Sequence, residues 1–72
     1  MLSSREIIKI LEKYGWKFVE VRGDHYQFKH PTKKGKVTVP HPNKEIKIAV
    51  LKSIEKQSGL KIREIVKNRN RK

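Results

Sequence analysis

The residue best placed to carry chemistry is His25, which directly follows a predicted turn at Gly23–Asp24 and opens the alternating segment HYQFKH. An imidazole gains or loses a proton near neutral pH, so it can act as a general acid or base. Strand alternation would put His25, Gln27 and Lys29 on one face, opposite the aromatic residues of the segment. The pattern alone nevertheless favours a surface histidine after a turn over a catalytic one.

The charge balance points to a polyanionic partner. The chain has 72 residues, with 19 Lys and Arg against 7 Asp and Glu, and a formal charge of +12. The positive charges repel one another and lower the stability of the folded protein, whereas contacts of Lys and Arg with phosphates release counterions and favour binding. On RNA, His25 could remove the proton of a ribose 2′-OH, while Lys29 or another nearby cation stabilises charge on the phosphate.

A group of lysines could form a phosphate-binding rim beside His25, because loops at one end of a sheet can converge. These are Lys29, Lys33, Lys34, Lys36, Lys44 and Lys47. A solvated charged surface is the alternative, but the net charge favours the rim. The C-terminal run of Lys67, Arg69, Arg71 and Lys72 reads instead as a mobile electrostatic tail.

The other chemistry-bearing residues match no known catalytic or metal-binding pattern. The spacing of the three histidines fits no ligand motif and no acidic residue clusters with them, so neither a metal nor another cofactor is predicted. His30 and His41 read as loop or strand-end residues that could stack on RNA or hydrogen-bond to it. The chain has no cysteine, which excludes disulfides and cysteine-based zinc sites. Paired carboxylates, a serine elbow and a phosphate-binding glycine loop are also missing from the sequence.

Capping and periodicity predict the elements that must position these side chains. Ser3 and Glu6 form a capping-box pattern, and apolar residues at helical spacing continue to Gly15, which predicts a helix over about Ser4–Tyr14. The segments WKFVEVR, HYQFKH and KVTVP predict three short strands, and their short links predict an antiparallel meander. A second helix closing at Ser58–Gly59 and a short C-terminal helix complete the chain. The aromatic residues of the first two strands could form a platform on which RNA bases stack, but most are expected to be core; they are Trp16, Phe18, Tyr26 and Phe28.

The predicted fold is α+β, in the order α-β-β-β-α, with a domain over residues 1–60 and a short helix with a basic tail over 61–72. Two helices on one face of a three-stranded antiparallel sheet would bury the apolar stripes and leave the other face open for a ligand. The N-terminus lacks a signal-peptide pattern, and no apolar run approaches the ~20 residues of a membrane span. We therefore expect a cytoplasmic protein that does not associate with membranes.

The stretch GDHYQFKHPTKKGKVTVPHPNKEIKIAVLKSIEKQSGL closely resembles the HicA, or YcfA-like, toxin family of bacterial and archaeal toxin–antitoxin systems. The features that carry the resemblance are LEKYGW, the Gly-x-His turn, FKHP, VTVPHP and the closing SGL. The resemblance implies a fold like the double-stranded RNA-binding domain and a translation-independent endoribonuclease that cleaves mRNA. It also implies a HicB antitoxin that covers the active site in a hetero-oligomeric complex.

In the family, the single catalytic histidine lies in the Gly-x-His motif, which here is Gly23-Asp24-His25. The resemblance therefore favours a catalytic role for His25 over that of a surface histidine after a turn. Many members carry Ser or Thr where this chain has Asp24. The Asp24 carboxylate could orient the imidazole, but it also places a negative charge near an approaching phosphate.

We therefore expect the toxin of a type II toxin–antitoxin system, a metal-independent mRNA endoribonuclease with His25 as general base. The predicted RNA-binding residues are Gln27, Lys29, Lys33, Lys34 and Lys36, and Gly23 and Asp24 are predicted to position the turn. A non-catalytic double-stranded RNA-binding module is the main alternative, because the same fold and charge would serve it. A small basic accessory protein of the ribosome is a third hypothesis.

Overall fold

The secondary structure follows the predicted order in the computed structural model, which describes residues 2–69. Its elements are α1 (Ser4–Lys13), β1 (Lys17–Arg22), β2 (His25–Lys29), β3 (Val37–Pro40), α2 (Ile48–Ser58) and α3 (Ile62–Arg69). The predicted α+β order α-β-β-β-α with a short C-terminal helix is confirmed. Lys67 and Arg69 lie within α3, whereas Arg71 and Lys72 lie outside the described residues, so the mobile basic tail stays a prediction.

Helix α1 begins at the predicted capping box. The Ser3 hydroxyl accepts the backbone N–H of Glu6 at 3.2 Å, and the Glu6 carboxylate accepts the backbone N–H of Ser3 at 3.0 Å. These two bonds satisfy amides that a helix start would otherwise leave without partners. The apolar stripe, which includes Ile7 and Leu11, is buried. The helix ends at Lys13, one residue earlier than predicted.

The sheet is antiparallel with strand order β1-β2-β3, so β2 is the central strand. Phe28 lies opposite Val37, and both are buried beneath the helices. Gln27 lies opposite Thr38 on the other face, because neighbouring residues of a strand point to opposite sides. The predicted open face is therefore present, and it carries every second residue of β2 starting from His25.

Strand β1 departs from regular pairing. Its register against β2 shifts between Phe18 and Glu20, which marks a β-bulge around Val19. One extra residue in a strand reverses the facing of the residues that follow it. This bulge is the physical reason that the alternation of WKFVEVR is irregular in the sequence.

The last two helices are joined by charged contacts as well as by the core. Ile62 of α3 is fully buried, and the Glu55 carboxylate of α2 accepts the backbone N–H of Arg63 at 3.0 Å and its guanidinium at 2.9 Å. Burial raises the pKa of Glu55, but the hydrogen bonds and positive charge of Arg63 lower it more, so the net pKa lies below its usual range. Glu55 thus stays ionised and caps the first turn of α3.

Candidate functional site

His25 is presented to solvent at one end of the sheet. The preceding Gly23 has φ +60°, a conformation that glycine adopts without strain, and it allows the chain to reverse between β1 and β2. His25 opens β2 and pairs with Arg22 on one side and Pro40 on the other. Its side chain is 57% exposed, so an approaching ligand can reach the imidazole from the open face.

Asp24 is the nearest charged partner of His25. The imidazole Nε2 lies 3.7 Å from the Asp24 Oδ1, which is too long for a hydrogen bond. At that distance the carboxylate attracts the ring only when the ring is protonated. The arrangement suits a histidine that takes up a proton during a reaction, because the charge that develops meets a carboxylate already in place.

The rest of the open face is polar and mainly cationic. Thr38 Oγ1 donates to Gln27 Oε1 at 3.1 Å, which leaves the Gln27 amide N–H groups available to a ligand. The carboxylate of Glu20 lies 3.6 Å from Arg22 Nε and 3.9 Å from Lys36 Nζ. The cations on this face are Lys17, Arg22, Lys29 and Lys36. The four cations outnumber the carboxylates of Glu20 and Asp24, so this side of the sheet attracts phosphate groups.

The predicted rim of six lysines beside His25 is wrong as a single cluster. Strand β2 runs away from His25, so the loop after it lies at the far end, roughly 13 Å along the strand at about 3.3 Å per residue. There Lys33 Nζ donates to the Ser58 carbonyl at 3.4 Å and caps the C-terminus of α2, and Lys34 belongs to the same loop. The connector lysines Lys44 and Lys47 follow β3 and lie at the His25 end.

His30 has a structural role. Its Nδ1 accepts the Thr32 backbone N–H at 3.1 Å, so the ring proton lies on Nε2 and is donated to the Tyr14 carbonyl at 3.0 Å. The ring also stands edge-on to Trp16, with centroids 5.3 Å apart. Both ring nitrogens are therefore engaged in holding the end of α1 against the end of β2, and neither is free to contact RNA.

The aromatic residues do not form a stacking platform on the open face. Trp16 and Phe28 are each 1% exposed and belong to the core, as predicted. Phe18 pairs with Phe28 and therefore shares its helix-facing side, yet it is 50% exposed. The reason is that the helices pack over β3 and leave the outer strand β1 uncovered.

Neither a metal cluster nor a membrane-spanning segment is found in the described part of the chain. Among residues 2–69, no three His, Asp or Glu side chains come close enough together to hold a metal ion. No helix in that range has the length and apolar character needed to cross a bilayer.

Sequence reasoning missed a cleft at the same end of the molecule as His25. Its volume is about 410 Å³, and it is lined by Ser3, Ser4, Arg5, His41, Pro42, Asn43 and Lys44. Inside it the Ser4 hydroxyl lies 2.6 Å from His41 Nδ1. The two residues are 37 positions apart, and no local pattern in the sequence indicates that they meet.

The family comparison supports the interpretation suggested by the Gly-x-His turn. A family model described as the HicA toxin of bacterial toxin–antitoxin systems matches residues 4–60, which covers α1, the whole sheet with His25, and α2. No curated protein sequence matches the chain closely enough to add a second comparison. Because the matched region is most of the 72 residues, the chain belongs to the HicA family of toxins from bacterial toxin–antitoxin systems.

Proposed function

We propose that this toxin is an endoribonuclease that cleaves mRNA with His25 as its catalytic base and that a HicB antitoxin neutralises it. The observation that carries the proposal is the placement of His25, which is 57% exposed on an open cationic face of a family toxin. The charge of +12 supports a polyanionic substrate, because cations on the protein release counterions from phosphates on binding.

The reaction that this geometry supports is transfer of the phosphoryl group to the neighbouring 2′-oxygen. The His25 imidazole accepts the 2′-OH proton, the 2′-oxygen bonds to phosphorus, and the bond from phosphorus to the 5′-oxygen breaks. The imidazolium returns a proton to the leaving 5′-oxygen, so protons balance and the products are a 2′,3′-cyclic phosphate and a 5′-hydroxyl. Asp24 stabilises the imidazolium, and Arg22, the pairing neighbour of His25, stabilises charge on the phosphate oxygens. Lys29 lies at the other end of β2 and would contact a more distant phosphate of the strand.

The chemistry of the product ends tests this proposal. RNA cleaved in the presence of EDTA should carry a 2′,3′-cyclic phosphate or its hydrolysed monophosphate, because the base is a side chain and the nucleophile belongs to the RNA. A strand with 2′-deoxyribose at the cleaved position should stay intact, since it lacks the nucleophile. Mass spectrometry of the RNA detects both the chemical groups at the product ends and the uncleaved 2′-deoxy strand.

Two outcomes would contradict the proposal. Products with a 5′-phosphate and a 3′-hydroxyl, or loss of activity in EDTA, would point to attack by a metal-activated water. Tight RNA binding without any cleavage would support the alternative, a non-catalytic RNA-binding module.

The exposed outer side of β1 has the features of a surface that binds another protein. Phe18 is 50% exposed and Val21 is 46% exposed on the helix-facing side of this edge strand. Within residues 2–69, one row of backbone groups on β1 also has no strand neighbour. Edge strands readily pair with a strand of another chain. The high positive charge disfavours a second copy of this chain and favours an acidic partner such as an antitoxin. A partner strand along β1 would lie beside Arg22, the pairing neighbour of His25.

Replacing Phe18 with serine should weaken antitoxin binding by about tenfold or more, because exposed aromatic residues contribute strongly at interfaces. Isothermal titration of the inactive His25→Ala toxin with its own HicB antitoxin measures this change. The matched control is Ile48→Ser, which removes an apolar side chain that is 56% exposed at the start of α2. Equal weakening by both variants, or by neither, would show that β1 is not the contact surface.

A further inference from the structure

The cleft beside α1 contains a histidine whose tautomer is set by a buried serine. Ser4 is 1% exposed, its Oγ accepts the Asn43 backbone N–H at 2.9 Å, and it lies 2.6 Å from His41 Nδ1. No other acceptor for the Ser4 hydroxyl hydrogen is found among residues 2–69, so this hydrogen is donated to Nδ1. The neutral imidazole of His41 therefore carries its own hydrogen on Nε2, where it is available as a donor.

The His41 ring is also held in a fixed orientation next to the catalytic turn. It stands edge-on to Tyr26, with ring centroids 4.8 Å apart, and its backbone N–H donates to the Asp24 carbonyl at 2.8 Å. The cleft thus adjoins the residue that precedes His25. His41 lies on the helix-facing side of the sheet and His25 on the open side, so the two imidazoles flank the same sheet end.

The positively charged side chains that line the cleft favour binding of an anion. Arg5 and Lys44 both line it, are exposed, and make no ion pair within the described residues. The backbone N–H groups of Ser4 and Glu6 already have acceptors, so side chains supply most of the donors in the cleft. Two unpaired cations and an oriented N–H donor suit the oxygens of a phosphodiester.

We infer that this cleft is a second phosphate-binding subsite for the RNA strand, holding a phosphate that flanks the cleaved bond. His41 Nε2–H, Arg5 and Lys44 are the donors. The inference rests on the proposed function for the identity of the polymer, but the subsite lies apart from the open sheet face that contacts the cleaved bond. A strand that passes around the Gly23–Asp24 turn would contact His25 on one side and His41 on the other.

Salt-dependent binding tests the subsite without requiring cleavage. In the His25→Ala background, Arg5→Gln with Lys44→Gln should weaken binding of a short fluorescein-labelled RNA by about tenfold and reduce the slope of log affinity against log salt by roughly 0.7, the value for one phosphate contact on a single strand. The control pair is Lys56→Gln with Lys67→Gln, which removes the same charge from exposed positions on α2 and α3. It should change the affinity much less and leave the slope nearly unchanged.

The imidazole of His41 provides an independent readout. Long-range proton–nitrogen NMR spectra should show the Nε2–H tautomer, and its signals should shift when RNA is added to His25→Ala but not when it is added to the variant that also lacks Arg5 and Lys44. Equal effects of the two double variants, an Nδ1–H tautomer, or His41 signals unmoved by RNA would overturn the inference. Cleavage by the unaltered toxin is measured separately, so failure of the proposed function is distinguished from failure of the subsite.

Discussion

Replacing His25 with alanine should lower the rate of RNA cleavage by about 10²–10⁴-fold, the usual contribution of a general acid–base catalyst, and leave the fold intact. The side chain is 57% exposed and its nearest charged partner is 3.7 Å away, so its removal takes no hydrogen bond from the core. A small basic domain of this kind should therefore keep its melting temperature while losing its activity. This combination separates a catalytic histidine from a structural one.

The measurement is the initial rate of cleavage of a labelled RNA, with thermal melting followed by circular dichroism on the same preparations. His25→Gln is the informative second variant, because an amide can hydrogen-bond to RNA but cannot carry a proton near neutral pH. Lys56→Ala, at an exposed position in the last turn of α2, controls for loss of a surface side chain. If His25→Gln kept a rate close to that of the unaltered toxin, the 2′-OH proton would have to be taken by another group.

The parts of this structure that the sequence predicted correctly depend on neighbours along the chain. The capping box joins residues three apart, and the alternation of Tyr26 and Phe28 assigned the faces of β2 before any tertiary contact was known. The left-handed end of α2 at Gly59 also follows from local backbone preference. These features are fixed by sterics and hydrogen bonds within a few residues.

The errors concern which distant residues meet. The separation of Lys33 and Lys34 from His25 could have been predicted, because an antiparallel meander places the loop after its second strand at the end away from the first turn. The bond of Lys33 to the Ser58 carbonyl and the pairing of Ser4 with His41 could not. Both depend on how the helices pack across the sheet, which sets contacts between residues 25 and 37 positions apart.

Replacing Gly15 with alanine should destabilise the protein by about 2–4 kcal/mol, combining roughly 1–3 kcal/mol of backbone strain with about 1 kcal/mol for a disturbed hydrogen bond. Gly15 has φ +95°, and a Cβ there would lie 2.7 Å from His30 Nε2. To relieve that overlap His30 must move away from the Tyr14 carbonyl, which it contacts at 3.0 Å. This loss is large against the roughly 5–15 kcal/mol that stabilises a typical domain.

Gly35→Ala isolates the contribution of His30, because Gly35 has a similar φ of +85° and nothing lies within 4 Å of an added Cβ. Urea unfolding of both variants, made in the His25→Ala background to avoid toxicity, should show Gly15→Ala as the less stable of the two. The difference between their free energies of unfolding measures the cost of displacing His30. Equal destabilisation would show that the ring moves aside freely and that its bonds to Tyr14 and Thr32 contribute little. Because His30 and His25 lie at opposite ends of β2, we expect Gly15→Ala made with His25 intact to cleave RNA as long as it stays folded.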